Sequence, residues 1–336
     1  MKRLVFAGLA LGLAIPATTQ DGPPKLNFPV DCTIGENCWI ARYMDRAPGR
    51  AKADYTCNSQ TEDKHKGTDI ALADTGAMAK GVDVKAAADG RVIALRGGMP
   101  DIRVTKQRAK TIQKQGCGNI LVVGHGNGWQ TSYCHLKNDS LLVKEGNRVT
   151  AGQAIAQVGL SGLTEFPHLH FMVSRTKKGR PIQNYDPFDG GLLEGGCKAT
   201  EKSNAHKKQT SFWSEPISYA SATLMPPLVS DVAITRQTLW QVQAEKISRN
   251  APVLFVQARG FHAVEGDIWR FSLFEPSGRK RFTHDVKQTR NRQLVEANAN
   301  FKMPDGGFLH GRWRATVELL RGGQSVGKQT TSVVIE

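Results

Sequence analysis

Two short strings hold the residues of this chain best suited to chemistry: His65-Lys66-Gly67-Thr68-Asp69 and His168-Leu169-His170. In an extended strand side chains alternate between faces, so His65 and Asp69, four apart, point one way, as do His168 and His170, two apart. Both strings can therefore aim at one point and offer it three ligands and a spare base. Two imidazoles and a carboxylate are a usual ligand set for catalytic Zn²⁺, which takes three protein ligands at about 2.0–2.2 Å and leaves a fourth tetrahedral position to water. A site of that kind carries a net charge of about +1 and lowers the pKa of its water from ~15.7 towards ~7, making hydroxide available at neutral pH. Only one histidine of His168-Leu169-His170 is needed for the set. The other lies beside the metal, where it passes a proton or steadies an oxyanion. His135, near the end of the strand-like run Thr131 to Leu136, is a further candidate. Two unligated imidazoles facing one such centre point to hydrolysis of a peptide or an ester.

Other readings of these residues are weaker. A two-histidine, one-carboxylate set also suits ferrous iron in oxygenases, but there the first histidine and the carboxylate stand close together rather than four apart. His125, in Gly124-His125-Gly126-Asn127-Gly128, reads as a structural residue flanking a turn. His262, His284 and His310 are widely separated and read as structural or solvated.

The elements that must position the five histidines and Asp69 read as strands, and the pattern resembles a known family. His65-Lys66-Gly67-Thr68-Asp69-Ile70-Ala71 is followed by Val84 to Val92, then Gly118-Asn119 leading to His125-Gly126-Asn127-Gly128. Thr131 to Leu136 comes next, then Val143-Lys144-Glu145-Gly146 with Val149 and Gly152, and finally Pro167-His168-Leu169-His170-Phe171. In order and separation this resembles the lysostaphin-like (LytM-type) zinc metalloendopeptidases of bacterial cell walls over roughly residues 60–190. The resemblance implies that His65, Asp69 and His170 bind Zn²⁺ and that His135 and His168 are the catalytic histidines, with the division of labour within that pair left open. It implies an antiparallel β fold with a groove for an extended peptide, and peptidoglycan cross-links or stem peptides as substrate. Some members of the family have lost ligands and activate partner cell-wall hydrolases. This chain keeps every ligand position, which favours an enzyme over a non-catalytic activator. It departs from the family in three places: Leu160 to Pro167 is bulkier than the usual small Ser-Thr-Gly run, Met172 stands where an acidic residue is common, and a basic insertion lies between Arg96 and Gly118.

Composition places this chemistry outside the cytoplasm. Lys2 and Arg3, the apolar stretch Leu4 to Ile15 and the small residues around Ala17-Thr18-Thr19 form a secretory signal pattern, too short to span a membrane. The expectation is a secreted or periplasmic protein with no transmembrane segment in the mature chain. Six cysteines suit an oxidising compartment. Cys117 and Cys134 flank a hairpin centred on Asn127-Gly128 that can bring them together; Cys32 with Cys38 is a local pairing, and Cys57 with Cys197 is what remains. No CxxC pair occurs, so a cysteine zinc site is not indicated. The net charge of +15 and a pI near 9.7 suit an exported protein that meets anionic envelope polymers. Nucleic acid, the usual alternative for such a charge, does not suit an exported protein.

A length of 336 residues allows about two domains of ordinary size. The expected organisation is a signal peptide (1–20), a disulfide-pinned N-terminal segment (21–58), a LytM-type zinc peptidase domain (59–195), a polar connection (196–227) ending in Pro226-Pro227, and a β-sandwich (228–336). In the last unit Trp269, Phe271 and Leu273 share one strand face, and Trp313, Ala315, Val317 and Leu319 share another. Short strands separated by turns such as Glu275-Pro276-Ser277-Gly278 suggest an immunoglobulin-like sandwich. The fold class expected is mainly β throughout.

Overall fold

The computed structural model describes residues 22–178, 180–197 and 211–336. The expected signal segment, and residues 198–210 of the expected connection, lie outside the described residues. Among the described residues no helix is long and apolar enough to cross a membrane.

The fold is mainly β, with antiparallel sheets, and the unit that carries the two histidine strings comes first. Its strands are β1 (Cys38–Arg42), β2 (Thr68–Leu72), β3 (Asp83–Lys85), β4 (Gly90–Arg96), β5 (Asn119–Gly126), β6 (Trp129–Leu136), β7 (Arg148–Val149), β8 (Ala154–Gln157), β9 (His168–Lys177) and β10 (Arg180–Tyr185). Two short helices, α1 (Thr75–Lys80) and α2 (Lys106–Ile112), interrupt them, the second lying in the basic insertion. One sheet runs β1-β2-β9-β6-β5-β4-β7, with β10 paired to β9, and the small β3–β8 sheet shares its core. Period-two patterning explains how one sheet serves core and site together. Along β9, Leu169, Phe171 and Val173 are buried in the core, so His168, His170 and Met172 stand on the opposite face. Leu169 is thus the anchor that aims its two histidine neighbours.

The N-terminal segment does more than pack on this unit, because β1 pairs with β2 and extends the sheet. Both faces of β1 are covered: Cys38 and Ile40 enter the core of the first unit, while Trp39 and Ala41 join a second cluster with Phe166, Trp240 and Phe261. All three disulfides, Cys32–Cys38, Cys57–Cys197 and Cys117–Cys134, follow the pairings expected from the sequence.

The C-terminal unit comprises β11 (Thr223–Ser230), β12 (Lys246–Ile247), β13 (Val253–Ala263), β14 (Ile268–Phe274), β15 (Lys280–Lys287), β16 (Arg292–Lys302), β17 (Gly311–Arg321) and β18 (Gln324–Ile335). A three-stranded sheet, β11-β13-β16, and a five-stranded sheet, β12-β18-β17-β14-β15, share one apolar core. Trp269, Phe271 and Leu273, like Trp313, Ala315, Val317 and Leu319, point into it. Strand β11 begins at Thr223, inside the stretch read from sequence as a connection, and carries Pro226-Pro227 within it. Proline lacks the N–H a ladder needs, so it reads as a breaker. Here β11 is an edge strand, and its register with β13 shifts between Met225 and Leu228, which accommodates both prolines.

Candidate metal centre and cleft

Strand register brings the candidate residues together. In the β2–β9 ladder Asp69 lies opposite His170 and Ala71 opposite His168. His65 precedes β2 rather than lying in an extended strand, which differs from the premise of the four-residue spacing. Its loop is held by Asp45, whose Oδ2 accepts from Lys64 N at 2.8 Å and whose amide donates to His65 O at 2.8 Å. Gly67 is required beside it, because a Cβ there would sit 2.2 Å from Phe171 O. His65 Nε2 then lies 3.0 Å from Asp69 Oδ1 and 3.2 Å from His170 Nδ1, and His170 Nδ1 lies 2.7 Å from Asp69 Oδ1. These three residues are the group of possible metal donors found among the described residues.

His135 and His168 flank that point, with ring centroids 4.6 Å apart. Simple alternation would turn His135 to the face opposite Cys134. A bulge prevents this: Asn119 and Leu121 of β5 pair with Leu136 and Tyr133, leaving β6 an extra residue, and His135 takes φ 59°. That left-handed conformation, costly for a non-glycine residue, redirects the imidazole to the side of His168.

Backbone carbonyls fix the tautomers, since a carbonyl only accepts. The Nδ1–H of His65 donates to Tyr43 O at 2.7 Å, that of His135 to Ser161 O at 2.7 Å, and that of His168 to Phe166 O at 3.0 Å. When neutral, each ring therefore presents an unprotonated Nε2, the arrangement found around metal-binding and proton-accepting histidines, although burial of His65 is outweighed by the Asp69 carboxylate beside it, which raises that imidazole above its ordinary value. The Nε2 of His168 stands 3.6 Å from Asp69 Oδ1. Burial pushes the His168 imidazole down to about 4, and burial with the neighbouring His168 and His170 holds His135 well below its ordinary value. Burial works against the Asp69 carboxylate, yet His65, His168 and His170 hold its pKa well below the usual range, so it stays ionised.

Sequence reasoning missed Arg42. From β1 its Nη1 donates to Asp69 Oδ2 at 3.0 Å, and its Nη2 pairs with Glu62 at 2.8 Å. No local signal marks it, because the N-terminal segment reaches the site only through strand pairing. His125 is structural, its ring bonded to Asp89 O at 2.7 Å and Thr131 Oγ1 at 2.9 Å. His262 is buried, and its Nε2 donates to Ala41 O at 2.5 Å.

The centre opens into a cleft of about 1200 Å³ whose second wall comes from the C-terminal unit, at Arg236 and from Val286 to Asn298. A smaller recess along β6, β9 and β10, lined by Gln130, Ser132, Met172 and Ile182, continues the groove on the far side of His65 and His170.

Comparison with known proteins agrees with this arrangement. Residues 63–184 match the profile of Peptidase family M23. The peptidoglycan DD-endopeptidase ShyB of Vibrio cholerae is 35% identical over 118 residues, which is 35% of this chain and 22% of that protein. The murein hydrolase activator NlpD of Escherichia coli is 33% identical over 113 residues, 34% of this chain and 24% of that protein. The chain thus spans under a quarter of the length of either relative. A solved zinc-containing peptidase from Vibrio cholerae aligns at 30% identity over 39% of this chain and 36% of its own, with a TM-score of 0.25. Over residues 63–184, then, the chain carries a domain of Peptidase family M23, of the lysostaphin-like, LytM type.

Proposed function

We propose that this chain is a secreted zinc metalloendopeptidase that hydrolyses peptide bonds in peptidoglycan cross-links or stem peptides. The observation that carries this reading is the convergence of three donor atoms within 3.2 Å of one another beside two neutral imidazoles that are not needed as ligands. The donor set fits the metal: His65 Nε2, His170 Nδ1 and Asp69 Oδ1 are two nitrogens and one carboxylate oxygen, the composition that Zn²⁺ accepts with a position left open. When bound, zinc supplies Lewis acidity that activates water and polarises the scissile carbonyl. The remaining work belongs to the chain. His135 and His168, each locked through Nδ1, present Nε2 as a base: one takes a proton from the attacking water, and a ring protonated there can donate that hydrogen to the oxygen that gains charge or pass it to the leaving amine. Asp69 and Arg42 balance charge at the floor of the site, and the groove on either side takes an extended peptide. The C-terminal unit, with its sheets ordered β11-β13-β16 and β12-β18-β17-β14-β15, is read as an immunoglobulin-like sandwich.

A second reading, a non-catalytic envelope protein that activates a partner hydrolase, is favoured by the similarity to the murein hydrolase activator NlpD. Elemental analysis combined with peptide release from purified sacculi separates the two. The expected result is one zinc per chain and new peptide termini in the wild type. His65→Ala and His170→Ala are expected to lose both metal and activity, and His135→Ala and His168→Ala to keep zinc and lose activity. A metal-free, inactive chain that stimulates a partner would sink the enzymatic reading, and wild-type rates in the His135 or His168 variants would overturn the roles given to them.

A further inference from the structure

The cleft has a wall that the catalytic sheet does not supply. The segment from Val286 to Asn298, which leads from the end of β15 in one sheet into β16 in the other, faces the candidate metal centre across it. This wall is held at a fixed distance by bonds between the two units. Gln293 Nε2 donates to Thr61 O at 2.5 Å, Arg236 Nη2 pairs with Glu165 at 2.7 Å, and His262 Nε2 donates to Ala41 O at 2.5 Å. Behind the cleft Phe166 stacks on Trp240, their ring centroids 4.9 Å apart.

The charges on that wall are unbalanced. Of the carboxylates lining the cleft outside the centre, Glu62 is paired with Arg42 and Glu165 with Arg236. Lys287, Arg290 and Arg292 are exposed and form no ion pair among the described residues, and within the cleft-lining segment 286–298 only Glu296 opposes them. Spare cations gathered on one wall of a cleft raise the local concentration of anionic groups. The wall also suits an extended chain: β16 pairs only with β13, so among the described strands its other edge is free, and Gln293 to Asn298 along it line the cleft.

We infer that the C-terminal unit is a substrate-reading part of the active site, in which Lys287, Arg290 and Arg292 bind free carboxylates of an extended anionic peptide on its way to the metal centre. The inference takes the identity of the polymer from the reading above, and adds that substrate choice depends on the carboxylates of the peptide and on a wall outside the M23 domain.

The test uses the full chain and purified sacculi in two forms, untreated and with their carboxylates converted to amides. Binding is read by co-sedimentation and turnover by the KM and kcat of peptide release. In the variant Lys287→Ala/Arg290→Ala/Arg292→Ala, affinity for untreated sacculi is expected to fall about tenfold, with KM rising and kcat unchanged. Amidation should weaken the wild type to the same extent and the variant no further. A control that removes three exposed cations away from the cleft, Lys144→Ala/Arg148→Ala/Lys328→Ala, should bind as the wild type does. An equal loss in the control, or a cleft variant as sensitive to amidation as the wild type, overturns the inference. Co-sedimentation decides it even where no peptide is released, in which case the endopeptidase reading falls and the carboxylate site stands. Peptide release with a KM unchanged in the cleft variant gives the converse.

Discussion

Arg42 is the residue on which the candidate metal centre leans most heavily without belonging to it. A buried carboxylate with one oxygen committed to a ligand position needs its other oxygen satisfied, and Arg42 Nη1 does this at 3.0 Å. Its guanidinium also lies 5.3 Å from the Phe166 ring centroid, so its position is fixed from two sides. Replacing Arg42 by Leu leaves Asp69 free to rotate and strips a buried charge of its partner. The expected outcome is zinc affinity lower by about 10- to 100-fold, the usual cost of losing an outer-shell partner, measured by competition with a chromogenic chelator. Unchanged affinity would mean that the strand ladder alone holds Asp69. His135 makes a similar point about single residues, since a bulge and a φ of 59° are what bring its ring to the site.

Among the elements, the segment from Ser161 to Phe166 does several jobs at once. Ser161 O accepts from His135, Phe166 O accepts from His168, and the Thr164 hydroxyl lies 3.0 Å from His168 Nδ1. The segment is short and irregular, and its rigidity comes from outside. Phe166 is 2% exposed because Trp240 and Phe261 cover it, and Arg259, 5.3 Å from the Trp240 ring centroid, donates to Ala73 O. Trp240→Ala opens a cavity under Phe166 and is expected to cost about 3–5 kcal/mol of stability in urea unfolding. Because His168 loses its support, peptide release should also drop by about tenfold with zinc content unchanged. Trp240→Phe, which keeps a ring in the stack, should restore most of the activity. Full activity in Trp240→Ala would show that Phe166 holds His168 without the C-terminal unit.

At the scale of the whole molecule the two units act as one because polar groups are buried between them. The imidazole of His262 is pushed down to about 3, chiefly by burial and further by Arg42 and His65 facing it, while its bond to Ala41 O and the Asp69 charge work the other way. The folded state therefore holds His262 neutral, whereas the unfolded chain protonates it near the ordinary value of 6.5. Its contribution is fully present above pH 6.5 and is lost progressively as the pH falls towards about 3. His262→Gln keeps a donor to Ala41 O and removes the titration. Urea unfolding of the variant is expected to show a shallower loss of stability between about pH 6.5 and 4 than the wild type, and parallel curves would count against burial of the neutral ring as the cause.

The sequence by itself determined the candidate ligand set and the alternation. Residue types in His65 to Asp69 and His168 to His170 offered the candidate donors, the family resemblance chose His170 between the two histidines, and period two along β9 set which neighbours go inward, because alternation is a local property of a strand. The hairpin at Asn127-Gly128 and the cysteine pairings were legible for the same reason. Tertiary structure alone decided what depends on elements far apart in the chain. Arg42 reaches Asp69 through the β1–β2 ladder, and Pro226-Pro227 fits a strand only because that strand is an edge with a register shift. The segment from Val286 to Asn298 becomes a wall of the cleft only when the apolar faces of Trp39, Phe166, Trp240 and Phe261 meet. Pairing partners, bulges and the docking of one core on another are set by long-range burial, which no short window of residues encodes.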